Sequence, residues 1–429
     1  MTDTGMRAYA NPFNAGFGVD PPYMAGRDGV VHRILADLRD GPGRARYITV
    51  ALGDRGVGKT TIENRLRDYV TAEFGWATLR WTAGLESPFA ATLNDAYDTI
   101  RSQLTGPRRR HVAGTKIGFN AGVVHADIDL VAGSQRPTTV AGQLRSLGTL
   151  ARDTNSAVVV FVDELQAGDS ASLAALSTAI QETNGERLPV ALVAVGLPTA
   201  RARLRNIRGA TFIERQRPIV IGNLNDSDAR DALERPMIDA DRNYEPAIFP
   251  VMLAVAGGYP YAIQLVGEHT WDQAGDNDTI TVAHATQGAR LAQGDLDTIY
   301  LERWEQLTQR QRDYLAAVIQ HLTTDGSAPS NLVAATYGTD TRSAAQTRAA
   351  LIDHHQLLYS DSPNSLRFAL PGFELWIRRQ SGATRTHPHT PPPNAPTTTT
   401  TPVSNNDHPT VGRRVEQIAD RQTPRSTRP

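Results

Sequence analysis

The chain of 429 residues has no cysteine and only two lysines, Lys59 and Lys116, among its 44 basic residues. Without cysteine there are no disulfides, no thiolate metal sites and no sulfur nucleophile, which fits a reducing compartment. An excess of either charge is also missing, since 44 basic and 45 acidic residues leave a formal net charge of −1. No overall field therefore draws the chain to nucleic acid or to an anionic membrane, and any such affinity must come from a local patch. Apolar runs such as AVVVFV at 157–162 are far too short to cross a bilayer, and the N-terminal MTDTGMRAYANPF carries no apolar leader. The expectation is a cytoplasmic protein without membrane contact. No HExxH or GxSxG occurs, and the pairs His354-His355 and His387-x-His389 lack a carboxylate ligand pattern, so neither zinc nor a serine nucleophile is indicated.

What is present is a composition of 40% hydrophobic and 21% charged residues, that of a soluble globular protein long enough for two or three domains. Residues 1–26 are rich in Gly, Pro and Asn and read as an irregular strap. From 27 to 222, short apolar strands alternate with amphipathic segments, which predicts an α/β domain with a parallel sheet. The strands expected are RYITVAL (46–52), ATLRWTA (77–83), AVVVFVD (157–163), LPVALVAVG (188–196) and RPIVIG (217–222). An inserted hairpin is expected near 112–134, turning at Asn120-Ala121-Gly122. Residues 223–297 have helical period, with Asn225 and Ser227 as candidate caps and a break at Gly257-Gly258 and Pro260. Residues 298–380 give three short helices and then a hairpin, the order of a winged helix-turn-helix. The Pro/Thr-rich segment 381–429 cannot bury a core and is expected to be disordered.

The segment GDRGVGKT, Gly53 to Thr60, matches GxxxxGK(S/T) between a predicted strand and a predicted helix. Gly53, Gly56 and Gly58 let successive backbone N–H groups face phosphates, with the helix N-terminus adding its positive dipole end. Lys59 is expected to reach the β- and γ-phosphates of ATP, and Thr60 to hold Mg2+; Val57 and Thr61 complete the expected nucleotide contacts. A compact ammonium fits between phosphate oxygens where a planar guanidinium does not, which explains a lysine in a chain that otherwise writes arginine. VVVFVDELQ places Asp163 and Glu164 at the C-terminal end of a buried strand, where ligands of open α/β sheets bind. Asp163 is expected on the Mg2+ and Glu164 on the water that attacks the γ-phosphate.

Together these motifs resemble AAA+-type P-loop ATPases on the branch shared by origin-recognition initiators and STAND signalling ATPases. PPYMAGRDGVVHRI is similar to the box that precedes the phosphate loop there, and GGYPYAIQLVGEHTW to an element of the helical lid; the similarity runs from about 11 to 380. The resemblance implies ATP binding and hydrolysis, with Gly26 and Arg27 against the adenine or ribose and Pro260 touching nucleotide from the lid. It also implies assembly into oligomers when ATP is bound. Two departures stand out. After the fourth strand, where a polar γ-phosphate sensor is often placed, the chain has Gly196, Leu197 and Pro198, the nearest polar side chain being Thr199; after Pro260 come Gln264 and His269 but no arginine. Arg215, beside Glu214, is the candidate for transition-state charge, either in the same subunit or in a neighbour, against the alternative of a surface arginine paired with Glu214. Weak sensors beside an intact catalytic carboxylate imply slow turnover, a switch rather than a motor.

In a winged helix the third helix enters the major groove, and here it offers Arg342, Ser343, Gln346 and Arg348, with Arg367 on the wing. Asp340, Asp353 and Asp361 temper that surface. Double-stranded DNA, a protein partner or simple packing on the ATPase domain all stay open. The run Arg108-Arg109-Arg110, with Lys116, is a second basic feature, either a solvated face or a phosphate track.

Overall fold

The computed structural model describes residues 9–16, 18–44, 46–84, 87–106, 136–338, 341–360 and 364–380. The expected hairpin at 112–134, Arg108 to Arg110, Lys116, Asp340, Asp361, His387, His389 and the tail from 381 lie outside them.

After the strap, α1 (Asp28–Asp40) leads into β1 (Ile48–Gly53), α2 (Lys59–Ala72), β2 (Ala77–Thr82), α3 (Phe89–Thr105), α4 (Val140–Asp153) and β3 (Val158–Asp163). Then follow α5 (Ser170–Gly185), β4 (Val190–Gly196), α6 (Thr199–Arg205), α7 (Thr211–Glu214) and β5 (Ile219–Ile221). The five strands form a parallel sheet in the order β2-β3-β4-β1-β5, as the alternating pattern predicts. β1 lies against β4 with Ile48 opposite Leu192 and Leu52 opposite Gly196, and β3 lies against β4 with Val158 opposite Val190. Strands buried on both faces read as continuous apolar runs, and β3 and β4 do so. Alternate residues serve opposite layers: Val158, Val160 and Val162 pack with Leu93, Leu144 and Leu176 on one face, while Val159 and Phe161 pack with Ile34, Leu35 and Leu66 on the other.

Beyond the sheet come α8 (Asp226–Asp239), β6 (Asn243–Tyr244), α9 (Ile248–Ala256), α10 (Pro260–Ala274), β7 (Thr279–Ile280) and α11 (Val282–Glu305). Asn225 caps α8 by accepting from Asp228 N at 2.9 Å, and α9 ends on the left-handed Gly257, as the Gly-Gly-x-Pro break predicts. The strap packs on α10: Phe13 is buried against Gly267, and Asn11 Nδ2 donates to Glu268 O at 3.1 Å. The C-terminal part holds α12 (Gln309–Gln320), β8 (Ala328–Pro329), α13 (Ser330–Tyr337), α14 (Thr341–Ala349), β9 (Leu358–Tyr359), β10 (Ser365–Phe368) and α15 (Phe373–Gln380). β8, β10 and β9 form a three-stranded antiparallel sheet.

Three features differ from the sequence reading. α11 is one helix of 24 residues that runs straight across position 297, where the lid and the C-terminal segment were divided. The two segments also share one core, in which Met252, Ile263 and Trp271 sit with Leu315, Leu351 and Phe373. The expected helix over 341–356 closes in a wider π turn at Ala350–His354. Finally the chain adds α15 after the hairpin; Phe373, Trp376 and Ile377 give it a buried face at helical spacing, and Phe373 stacks on Trp376 with ring centroids 5.8 Å apart. No helix among the described residues is long and apolar enough to cross a membrane.

Candidate functional site

The loop between β1 and α2 turns through Gly56 and Gly58 at φ +71° and +88°, a left-handed region that favours glycine. Gly58 is the residue before α2, and no side chain caps that helix, so its first N–H groups stay available to an anion. Gly53 abuts Ile221 of β5 so closely that a Cβ would collide with the Ile221 carbonyl. Lys59 is buried and its Nζ donates to Asp54 O at 2.6 Å. Burial lowers its pKa, while Glu164, Asp54 and Asp163 oppose that shift.

Parallel pairing carries the end of β3 to the same edge. Thr60 Oγ1 donates to Asp163 Oδ2 at 3.1 Å, so the predicted hydroxyl and carboxylate meet across 103 residues of sequence. Asp163 Oδ1 accepts from Glu164 N at 2.8 Å, and Glu164 adopts φ +53°, uncommon for a residue with a Cβ. Gly56, Val57, Gly58, Lys59, Thr60, Thr61, Asp163 and Glu164 all line one cleft of about 750 Å3, together with Pro260, the first residue of α10. These motif residues are thus brought together, whereas Gly53, packed on Ile221, does not line the cleft.

Other predicted residues sit differently. Arg27 lines the cleft, but its guanidinium donates to Val57 O at 3.1 Å and to Gly222 O, pinning the loop to the end of β5. Burial lowers its pKa to about 10, against the opposing charge of Asp228. Gly26, at φ +66°, is pressed against Asp228 where a Cβ would collide. Arg215 is exposed at the end of α7 and does not line the cleft; Glu214 lies 3.8 Å from Arg201 and 3.5 Å from Arg205, the partners it takes in place of the alternative pairing with Arg215. Gln264 lines the cleft and accepts from Asn14 N, whereas His269 pairs with Asp295 at 2.7 Å. Thr199 is the first residue of α6 and does not line the cleft. Of the C-terminal candidates, Arg342, Ser343, Gln346 and Arg348 all fall on α14. Gln346 is exposed, Ser343 half-buried, and Arg348 donates to Ser360 Oγ at 3.3 Å. Arg367, on β10 opposite Tyr359, turns back to Asp325 at 2.6 Å.

Several cleft residues carried no usable sequence signal. Arg80 on β2 lines the cleft and bridges Glu63 Oε1 at 3.0 Å and Asp163 Oδ2 at 3.3 Å. Its only clue is a charge inside a strand whose burial alternates. Glu63 is fully buried, which raises its pKa to about 7, with Asp163 adding and Arg80 opposing. Gln166 is buried two residues past Glu164 and donates to it. The far wall comes from distant chain. Tyr259 presses its hydroxyl on Gly56, Arg55 donates to Gln356, and Tyr300, His355, Leu357 and Leu370 line the same cleft. Asp54, in the loop itself, has its pKa raised to about 7 by burial; Lys59 and Arg367 oppose the rise and Glu374 adds to it. Its Oδ1 has no hydrogen-bond partner among the described residues.

A family profile described as an AAA ATPase domain matches residues 23–193, and one described as a domain of unknown function matches 297–377. Among solved structures, the ORC2 protein of Aeropyrum pernix in its ADP form is similar at TM-score 0.52 and 14% identity, over 86% of this chain and 98% of that one. A Walker-type ATPase of Pyrococcus abyssi is similar at TM-score 0.51 and 14% identity, over 83% and 96%. No curated protein matches. The phosphate loop, the acidic end of β3, the strand order and the matched profile agree: residues 23–193 form an AAA ATPase domain, and the chain has the P-loop AAA+ fold of the ORC-related type.

Proposed function

We propose that the protein is a slowly turning nucleotide switch that couples its ATP state to the C-terminal helical segment. One observation carries this reading: the cleft that holds the phosphate loop is walled on its far side by residues 355–357 and Leu370 of that segment. A phosphate arriving at the loop changes the charge beside Arg55, whose guanidinium bonds Gln356, and beside Asp54, which lies near Arg367 and Glu374. Nucleotide and C-terminal segment therefore bias each other's position.

The residue roles follow from chemistry. Lys59 and the free N–H groups of Gly56 to Thr61 bind the β- and γ-phosphates. The oxygens of Thr60 and Asp163, already within bonding distance, suit a hard divalent cation, and no group of three or more His, Cys, Asp or Glu among the described residues offers a fuller cage. Mg2+ would take its remaining ligands from phosphate and water and neutralise charge on the transferring group. Glu164 orients water and accepts its proton as the new oxygen–phosphorus bond forms and the bond to ADP breaks. Turnover is slow because the first polar side chain after Gly196, Thr199, does not line the cleft, α10 offers no arginine, and Arg215 does not line the cleft of its own subunit. Arg215 is then available to a neighbouring subunit, and assembly on ATP would supply it.

The working division is a strap to 26, an ATPase domain at 27–222, a lid at 223–297 and a winged helix at 298–380, with α11 as their common strut. Exposed Gln346 on α14 favours double-stranded DNA as a ligand of that last part, read alongside Arg342 and Ser343; Arg348 and Arg367 are engaged internally and fit it less well. A protein partner of the STAND type, and residence in the cytoplasm, belong to the same proposal.

Hydrogen exchange with ADP, ATP and no nucleotide tests the switch. The expected result is altered protection at 354–358 and 370–380 when E164Q is loaded with ATP. Identical protection in all three states, with ATP bound, overturns it. For the DNA reading, a gel-shift that depends on both ATP and salt is expected, and affinity indifferent to both rejects it.

A further inference from the structure

We infer that Gln166 is a positioning residue for hydrolysis, holding the Glu164 carboxylate from the end of β4. Its amide has two partners. Oε1 accepts from Leu197 N at 2.8 Å, and Nε2 donates to Glu164 Oε2. The assignment is unambiguous in chemical terms, because a backbone N–H only donates and an ionised carboxylate only accepts. Gln166 is 6% exposed, so water does not compete for either bond.

Gly196, where the sequence offered no polar sensor, explains why the amide fits. A Cβ there would lie 2.8 Å from Gln166 Oε1 and 3.0 Å from Leu165 Cβ. Any side chain at 196 would displace the amide. The missing side chain at the end of β4 is thus the room into which a side chain from the end of β3 reaches. The 3-10 turn Leu165–Ala167 and the left-handed Glu164 turn the chain back so that a residue two positions on faces the carboxylate. Glu164 is therefore held from its own backbone and from β4, a strand that also runs beside β1 and the phosphate loop. A general base gains from such support because a small misplacement of the reacting geometry is costly.

This inference rests on reading Glu164 as the residue that activates water. The test uses the full chain and compares wild type, E164Q, Q166E and Q166L in steady-state ATP hydrolysis at pH 8, with Tm recorded for each. Q166E keeps an acceptor for Leu197 N–H but replaces the donor to Glu164 with a second carboxylate, so the tie to Leu197 survives while the Glu164 carboxylate loses its support and is repelled. The expected result is a kcat about 10- to 100-fold lower in Q166E, with KM within about 3-fold of wild type and Tm lowered by the repulsion between the two carboxylates but still well above the assay temperature. Q166L is expected to lose kcat similarly and also stability, since Leu197 N–H is left unpaired. Wild-type kcat in Q166E, or an effect confined to KM, overturns the inference if E164Q is inactive. If E164Q turns over like wild type, or wild type does not turn over, the reading of Glu164 itself fails and the inference with it.

Discussion

On the sheet side of the phosphate loop, Thr60 and Lys59 meet Asp163, Asp54 and Glu164, groups supplied by the end of β3 and by the loop itself. On the opposite side, Gly56 meets Tyr259, Arg55 meets Gln356, and Asp54 lies near Arg367 and Glu374, all from more than 190 residues further on. The first side has a geometry set by strand pairing. The second is a cover, held by an aromatic contact and single polar contacts to the lid and C-terminal segment, which share a core separate from that of the sheet. Phosphate binding needs the first to be rigid, and a switch needs the second to be separable.

The largest effect should come from breaking the sheet side. K59A removes the ammonium between the phosphate oxygens, and ATP affinity measured with a fluorescent analogue should fall at least about 100-fold. Unchanged affinity would mean that the cleft takes ATP in some other way. G56A strikes both sides at once, because alanine resists φ +71° and its Cβ collides with Tyr259. A loss of about 2–4 kcal/mol in chemical denaturation is expected, shrinking in a Y259A background to the backbone strain alone.

Asp54 sharpens the comparison through pH. Its pKa is raised from 3.8 to about 7 in the folded chain, so the folded state binds more protons than the unfolded one between those values. Stability should therefore fall as pH rises from about 4 to about 7 and level off above. D54N removes that penalty: its Tm should exceed wild type at pH 8, and the advantage should vanish near pH 4. Buried Glu63, also raised to about 7, leaves a residual slope of the same sign in the variant. An equal advantage at both pH values would show that Asp54 is not desolvated. The smallest effect belongs to Q356A, which cuts the bond from Arg55. It should cost below about 1 kcal/mol in stability yet speed nucleotide release in stopped-flow, whereas an unchanged release rate would separate the cover from the nucleotide.

The sheet side was legible because its signals are local. GDRGVGKT states a turn, a charge and a helix start within eight residues, and VVVFVDELQ states a buried strand with acids at its end. The alternation of apolar segments then requires parallel pairing, which carries both to one edge. Arg27 shows where such reading stops: its place ahead of α1 was evident, but its bonds to Val57 and Gly222 depend on how β5 closes on the loop. Arg367 shows it again, since an arginine on a wing reads as a nucleic-acid contact until Asp325 is found beside it.

From the sequence alone came the nucleotide chemistry, the strands and the helical character of the second half, because periodicity and a contiguous motif encode them directly. Only the tertiary structure decided that α11 joins lid and C-terminal segment, that Arg80 and Gln166 reach Asp163 and Glu164, and that Gln356 closes over Arg55. Those contacts join side chains across strand ends and separate helices, where distance along the chain carries no information about distance in space.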